Sequence, residues 1–229
     1  MDEGQFFPGQ AIQFEGPGRP PAPPAAISFI GSTAIQGAGP HTFTNHAIGT
    51  ASSDRLVVVA VHAEAGSGTM SASVTIGGVA ATLVDQVATS TGGYVGIFQR
   101  AVSSGTTATI VTTFSGASPA RCIIGVWALT KLQSQTASAT NKASNGAAGT
   151  SLSTSISVPS KGVAVAASTM GNNSNHTWTN ASERYDQNAG GTTGDSGGDA
   201  SNSGATASIT FTAAYASADK RTLVAACWR

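Results

Sequence analysis

Charge is scarce in this chain. Of its 229 residues, 11 are Lys or Arg and 11 are Asp or Glu, so 10% are charged and the formal net charge is zero. Soluble domains usually carry about 25%. Disorder driven by charge repulsion is excluded, and so is a nucleic acid as the main ligand, because phosphate neutralisation needs clustered Lys and Arg. Aromatic residues are also few, at 6%. Apolar runs such as Leu56–Val61 fall far short of the ~20 residues that a membrane-spanning helix needs. There are two cysteines, Cys122 and Cys227, each inside an apolar run. They read as buried reduced thiols; a disulfide requires the two runs to be neighbours with suitable Cβ geometry. The start, Met1-Asp2-Glu3-Gly4, has neither a basic stretch nor an apolar core, so no secretory signal is expected. His41, His46, His62 and His176 are scattered, with no HxH or HExxH spacing, so no zinc site is expected.

What is present divides in two. Residues 1–26 set Phe6, Phe7, Ile12 and Phe14 among Gly4, Pro8, Gly9, Gly16, Pro17 and Gly18, and run into Arg19-Pro20-Pro21-Ala22-Pro23-Pro24. Each proline fixes φ and removes an N–H donor, so the run is extended and stiff at ~3.1 Å per residue. Such a leader reads as a tether, with its four large apolar side chains as anchors on a partner.

From residue 27 to 229 the chain alternates short β-branched runs with turn clusters. Strands are expected at Ala26–Ile30, His41–Phe43, Arg55–Ala63, Ser73–Ile76, Val79–Val84, Val95–Val102, Thr107–Phe114 and Cys122–Leu129. Others are expected at Ser151–Val158, Gly162–Thr169, His176–Thr179, Ala207–Thr212 and Thr222–Trp228. Gly77-Gly78 between two such runs predicts a tight hairpin, since a type I′ turn needs positive φ at both central residues. Pro159-Ser160-Lys161-Gly162 predicts another turn. No stretch carries a 3.6-residue apolar period, so the expected fold is all-β, an antiparallel sandwich or jelly roll. A weak internal echo links residues 41–130 to 151–229. Gly105-Thr106-Thr107-Ala108-Thr109-Ile110 is matched by Gly204-Ala205-Thr206-Ala207-Ser208-Ile209, 99 residues on. Ile123-Ile124-Gly125-Val126-Trp127 is matched by Leu223-Val224-Ala225-Ala226-Cys227, 100 residues on, and Leu56-Val57-Val58-Val59 by Gly162-Val163-Ala164-Val165. Shared turn composition explains such an echo as well as two similar halves would.

Gly194-Asp195-Ser196-Gly197-Gly198 is similar to the nucleophile segment of chymotrypsin-like serine proteases. That resemblance would make Ser196 the nucleophile, His62 the base and Asp85 its orienter. The chain departs from the family by continuing Asp199-Ala200-Ser201-Asn202 instead of Pro and an apolar strand, and His62 is followed by Ala63-Glu64. The pentamer also sits in Gly190–Gly204, where Gly, Ser, Thr, Asn and Asp dominate, and it reads as a solvated loop. Asp195 and Asp199 are too few oxygens for a calcium site. No catalytic residue, cofactor or metal is expected. Asn173, Asn175 and Trp178 are candidate glycan contacts, because sugar hydroxyls want paired donors and acceptors and sugar C–H faces want a ring. The competing reading is a core tryptophan beside loop asparagines.

Asp54-Arg55-Leu56-Val57-Val58-Val59-Ala60-Val61, Val74-Thr75-Ile76-Gly77-Gly78-Val79, Gly105–Val111 and Arg121-Cys122-Ile123-Ile124-Gly125-Val126-Trp127 together resemble virion proteins of tailed bacteriophages. That resemblance implies decoration, head-fibre or tail-fibre β-sandwich modules without enzyme activity. It also implies modules that are often trimeric, docked by an N-terminal segment on a capsid or tail protein and assembled into virions in the host cytoplasm. A host-surface glycan receptor module is the alternative, and a serine hydrolase the remote one. Neither nucleic acid nor membrane insertion is expected.

Overall fold

The computed structural model describes residues 22–188, 190 and 194–229. Among them no helix occurs, and the strands pair antiparallel throughout apart from one isolated bridge. The strands are β1 (Ala26–Gln36), β2 (His41–Ala47), β3 (Leu56–Glu64), β4 (Met70–Ile76), β5 (Val79–Ala80), β6 (Thr82–Ala88), β7 (Gly93–Ala101), β8 (Thr107–Gly116) and β9 (Arg121–Thr130). They continue with β10 (Ala139–Val158), β11 (Val163–Met170), β12 (His176–Thr179), β13 (Ser182–Gln187), β14 (Gly194–Ser201) and β15 (Ala207–Trp228).

The first nine strands make two sheets, ordered β1-β9-β3-β7-β6 and β2-β8-β4-β5. With β5 and β6 taken as one interrupted strand, this is the order of a jelly roll. Gly77 and Gly78, at φ 59° and 75°, turn the β4–β5 hairpin as the sequence predicts. The run expected as one strand, Val79–Val84, breaks at Ala81, whose N–H donates to the Val74 carbonyl (2.8 Å). The chain there passes from one sheet to the other, so a single pairing cannot continue.

Strands β10–β15 repeat the scheme. In the first half β1 pairs β9, β3 pairs β7 and β9, β6 pairs β7, and β8 pairs β2 and β4. In the second, residues 139–145 pair 221–227, β11 pairs β14 and β15, β13 pairs β14, residues 207–214 pair 151–158, and residues 212–215 pair β12. Thus β10 fuses the counterparts of β1 and β2, and β15 those of β8 and β9. Pro159–Gly162 does turn, with the Gly162 N–H on the Pro159 carbonyl at 2.9 Å, but β10 and β11 lie on either side of β15.

Side-chain alternation fixes the true correspondence. Val57, Val59 and Val61 face the core of the first sandwich, while Leu56, Val58 and Ala60 face Val163, Val165 and Ala167 of the second. Ala164 and Ala166 face the second sandwich's own core with Phe211, Ala225 and Cys227. Leu56 therefore corresponds to Val163 and Leu129 to Trp228. The 99-residue spacing of Ile110 and Ile209 holds through β9, and the 100-residue match there, like the Val57–Val163 match, is one residue out. In runs of Val and Ala the strings look alike at either register, but only one register keeps each side chain on its own face.

The chain is thus four layers deep, with a seam of Leu56, Val58, Ala60, Val95, Ile97, Ile123, Trp127, Leu129, Val163, Val165, Val224 and Trp228 joining the two halves. The stretch Gly190–Gly204, expected as a solvated loop, contains β14, whose residues 194–199 are buried. Its glycines let a ring approach: a Cβ on Gly197 would lie 2.7 Å from Tyr185 Cε1, and one on Gly125 of β9 only 2.3 Å from the same atom. Tyr185 is clamped between two backbones that no side chain screens. Gly125→Val is expected to destabilise the fold by about 3 kcal/mol. Gly125→Ala and Tyr185→Ala, combined in a double-mutant cycle read by denaturant unfolding, should show the glycine substitution costing far less once the ring is gone.

Candidate functional site

The chemistry-bearing side chains of the sequence collect at the seam. His62, on β3, is fully buried. Its Nδ1 lies 3.0 Å from Thr169 Oγ1 of β11 and 3.6 Å from Asp195 Oδ1 of β14, and its Nε2 lies 2.7 Å from the Tyr185 hydroxyl of β13. Thr169 donates onward to the Tyr94 carbonyl at 2.9 Å. Burial, aided by the charge of His176, pushes the His62 pKa down to about 3, and burial raises the Tyr185 phenol well above its usual range. At neutral pH the pair is an uncharged imidazole and an uncharged phenol bridging the two halves.

Tryptophans tie the same surface. Trp127 Nε1 donates across the seam to Asp199 Oδ2 (2.9 Å), and Trp228 Nε1 donates back to Gln99 Oε1 (2.7 Å). Gln99 pairs with Val58 and Asp199 with Val165, so the two acceptors occupy corresponding positions in the halves. Arg184 caps Asp199 with two bonds of 2.7 Å. Tyr185 also stacks on Phe29 (5.6 Å between centroids, 19° between planes) and packs against Trp127.

The protease-like triad is not brought together. On β14, Asp195, Gly197 and Asp199 point to the seam and Ser196 to the opposite face. There the Ser196 hydroxyl, with no exposed surface, accepts from Trp178 Nε1 (2.8 Å) and donates to the Tyr185 carbonyl (2.7 Å). His62 meets Asp195 instead, and Asp85 sits at the protein's flank in an ion pair with Lys142 (2.7 Å). The two aspartates considered for calcium are four residues apart on one strand, about 13 Å, and Asp199 is engaged by Trp127 and Arg184. Among the described residues no group of three or more His, Cys, Asp or Glu is arranged to hold a metal ion. Cys122 and Cys227 are buried and free, their thiols pushed up by burial to about 12 and about 11.

Trp178 packs half-buried in the second sandwich beside Phe211, Met170 and Ala213, with its indole N–H turned inward. Asn173 and Asn175 are exposed. Phe6, Phe7, Ile12 and Phe14 lie outside the described residues. Tyr185 and Arg184 escaped the sequence reading; the signal for Tyr185 was Gly125 inside the strand-like run Cys122–Leu129, since a glycine there marks a close approach.

No protein-family model and no curated protein matches this chain. A crystal structure of dimeric latent PorU from Porphyromonas gingivalis is similar over 82% of this chain and 18% of that one, with 12% identity and a TM-score of 0.24.

The buried His62 sets the acid response. Its native pKa lies below the unfolded value near 6.5, so between about pH 6.5 and 3 the unfolded state binds a proton that the native state does not. Its contribution to stability is complete above about pH 6.5 and is lost as the pH falls toward 3. Urea unfolding followed from pH 7 to 4 should show this decline, and His62→Gln should flatten it by up to one proton per molecule. Asp199→Ala, which leaves the buried indole N–H of Trp127 without its acceptor, should cost about 2 kcal/mol at pH 7.

Proposed function

We propose that the protein is a non-catalytic structural component of a tailed-phage virion, a decoration protein or short fibre, that docks by its N-terminal leader on a capsid or tail surface. The reading joins the resemblance of the strand segments to a body whose polar chemistry is spent internally, in holding two jelly rolls together. The observation that carries it is the strapping of the chain just before β1. Lys161 Nζ donates to the Ala22 carbonyl (3.3 Å), Arg229 Nη1 to the Pro23 carbonyl (3.0 Å), and the Ala25 N–H to the Lys161 carbonyl (3.0 Å). Residues 22–25 thus belong to the body, and the leader proper begins from a fixed point at one end of a rigid block. Burying Phe6, Phe7, Ile12 and Phe14 against a partner supplies the affinity, and the prolines limit the entropy lost on ordering.

Removing residues 1–21, and keeping Ala22–Ala25, should leave the unfolding midpoint unchanged and abolish co-sedimentation with particles. Attachment that survives the truncation contradicts the proposal.

A further inference from the structure

The second sandwich carries a chemically labile step in its longest edge strand. The chain contains a single Asn-Gly pair, Asn145-Gly146, and it lies in β10 where the ladder with β15 breaks. Asn145 stands opposite Arg221, the next paired residue is Gly149 opposite Asp219, and residues 146–148 have no ladder partner. Asn145 and Gly146 are both exposed, and a Cβ on Gly146 would meet only Thr91, at 3.6 Å. The Asn145 Oδ1 accepts the Ala147 N–H at 2.9 Å, while its Nδ2 donates to nothing among the described residues. Asn141, Asn180 and Asn202, by contrast, each hold a backbone carbonyl with Nδ2, at 3.0, 2.8 and 2.9 Å.

Across the ladder stands an arginine without an anion. Arg221 is only 6% exposed. Its Nη1 donates to two backbone carbonyls, Asp219 (3.1 Å) and Ala147 (3.4 Å), and its Nε has no partner among the described residues. Among those residues no carboxylate forms an ion pair with it. A Cβ on Gly149 would strike its guanidinium, so the charged group lies against the bulge. Ala147 joins the two side chains, giving its N–H to Asn145 and its carbonyl to Arg221. Residues directly opposite in an antiparallel ladder share a face, with Cβ atoms about 5 Å apart. A buried cation held by carbonyls alone is short of a partner.

We infer that Asn145 is a site of spontaneous deamidation and that its product supplies Arg221 with the anion it lacks. Glycine leaves the attacking nitrogen unscreened by a side chain and lets the backbone turn toward Asn145 Cγ. The Gly146 nitrogen, its proton passed to water, bonds to that carbon; the Cγ–Nδ2 bond breaks, and ammonia leaves after taking up a proton. Water then opens the resulting imide at either carbonyl. The balance is one water consumed and one ammonia released, with nothing oxidised or reduced. Opening gives aspartate or isoaspartate. The second lengthens the backbone by one carbon, which a bulge with residues 146–148 unpaired can absorb. Either product places a carboxylate beside Ala147, where a charge-assisted bond to Arg221 ties β10 to β15 across the break. The folded body gains a negative charge and hardens with age, without an enzyme.

The test follows the full-length chain, fresh and after incubation in mildly alkaline buffer. Trypsin releases Ala143–Lys161, in which Asn145 is the sole Asn or Gln, so a deamidation mass gain in that peptide reports on this site alone. The peptide should convert, and the urea midpoint of the chain should rise with it. In Asn145→Gln the midpoint should stay where it is. Asn145→Asp, measured fresh, should unfold with an equilibrium constant about tenfold smaller than that of fresh wild type. Arg221→Gln should erase that gain, with Arg221→Met in its place should Arg221→Gln fail to fold. A peptide that stays amidated in the folded chain, while the same peptide deamidates after digestion, overturns the site. An Asn145→Asp variant no more stable than fresh wild type, or a gain that survives without Arg221, overturns the pairing with Arg221.

Discussion

The fold depends on one seam. The first half has a core of its own, with Phe43, Ile48, Ile76, Tyr94, Phe98 and Ile110, whereas alanines take many of the inward positions in the second, and such side chains bury little apolar area each. The second sandwich closes on Ile156, Val158, Ala164, Ala166, Phe211, Ala225 and Cys227, a thin layer for the six strands β10–β15. What makes the molecule whole is the face shared between the sheets of β3 and β11, where branched side chains from both halves meet. Two crossed indole bonds, Trp127 to Asp199 and Trp228 to Gln99, and the His62–Tyr185 contact fix how the halves sit. An apolar seam alone is tolerant of sliding, whereas buried polar pairs are satisfied in one arrangement and costly in others.

This explains why residue types that suggest catalysis do structural work here. A histidine with an aspartate and a tyrosine each within 4 Å of its ring nitrogens would be an active-site arrangement if open to solvent. Sealed between sheets, the imidazole stays neutral, and its neighbours serve to satisfy it. The serine of the protease-like pentamer is a second instance, since it links Trp178 of one layer to the backbone of β13 in the other. The consequence is a body in which His62, Asp195 and Asp199 are sealed inside, while Lys131, Lys142, Glu183 and Asp186 are exposed.

The all-β class, the Gly77-Gly78 hairpin and most strands were legible because they rest on local signals, β-branched runs and turn residues. The echo between the halves was visible as strings, yet its register was not. In Val/Ala-rich strands the identity of a position lies in which face it buries, and that is decided by the partner sheet. β14 was hidden for a related reason: Gly194–Ser201 has no apolar alternation because its glycines make room for Tyr185 and its aspartates find partners on distant strands. The first segment of β10, residues 139–145, was missed likewise, being a mostly exposed run of small polar residues held by pairing with β15. For the candidate sites, sequence named His62, Asp195, Ser196 and Trp178 but could not tell which shared a face. The alternation on β14 sends Asp195 to His62 and Ser196 to Trp178.

If the seam governs the molecule, the two jelly rolls cannot unfold independently. Differential scanning calorimetry of the full chain at pH 7 addresses this directly. The account predicts a single transition whose calorimetric and van't Hoff enthalpies agree. Two resolved transitions, or a van't Hoff enthalpy near half the calorimetric one, would show that each half stands alone and would contradict it.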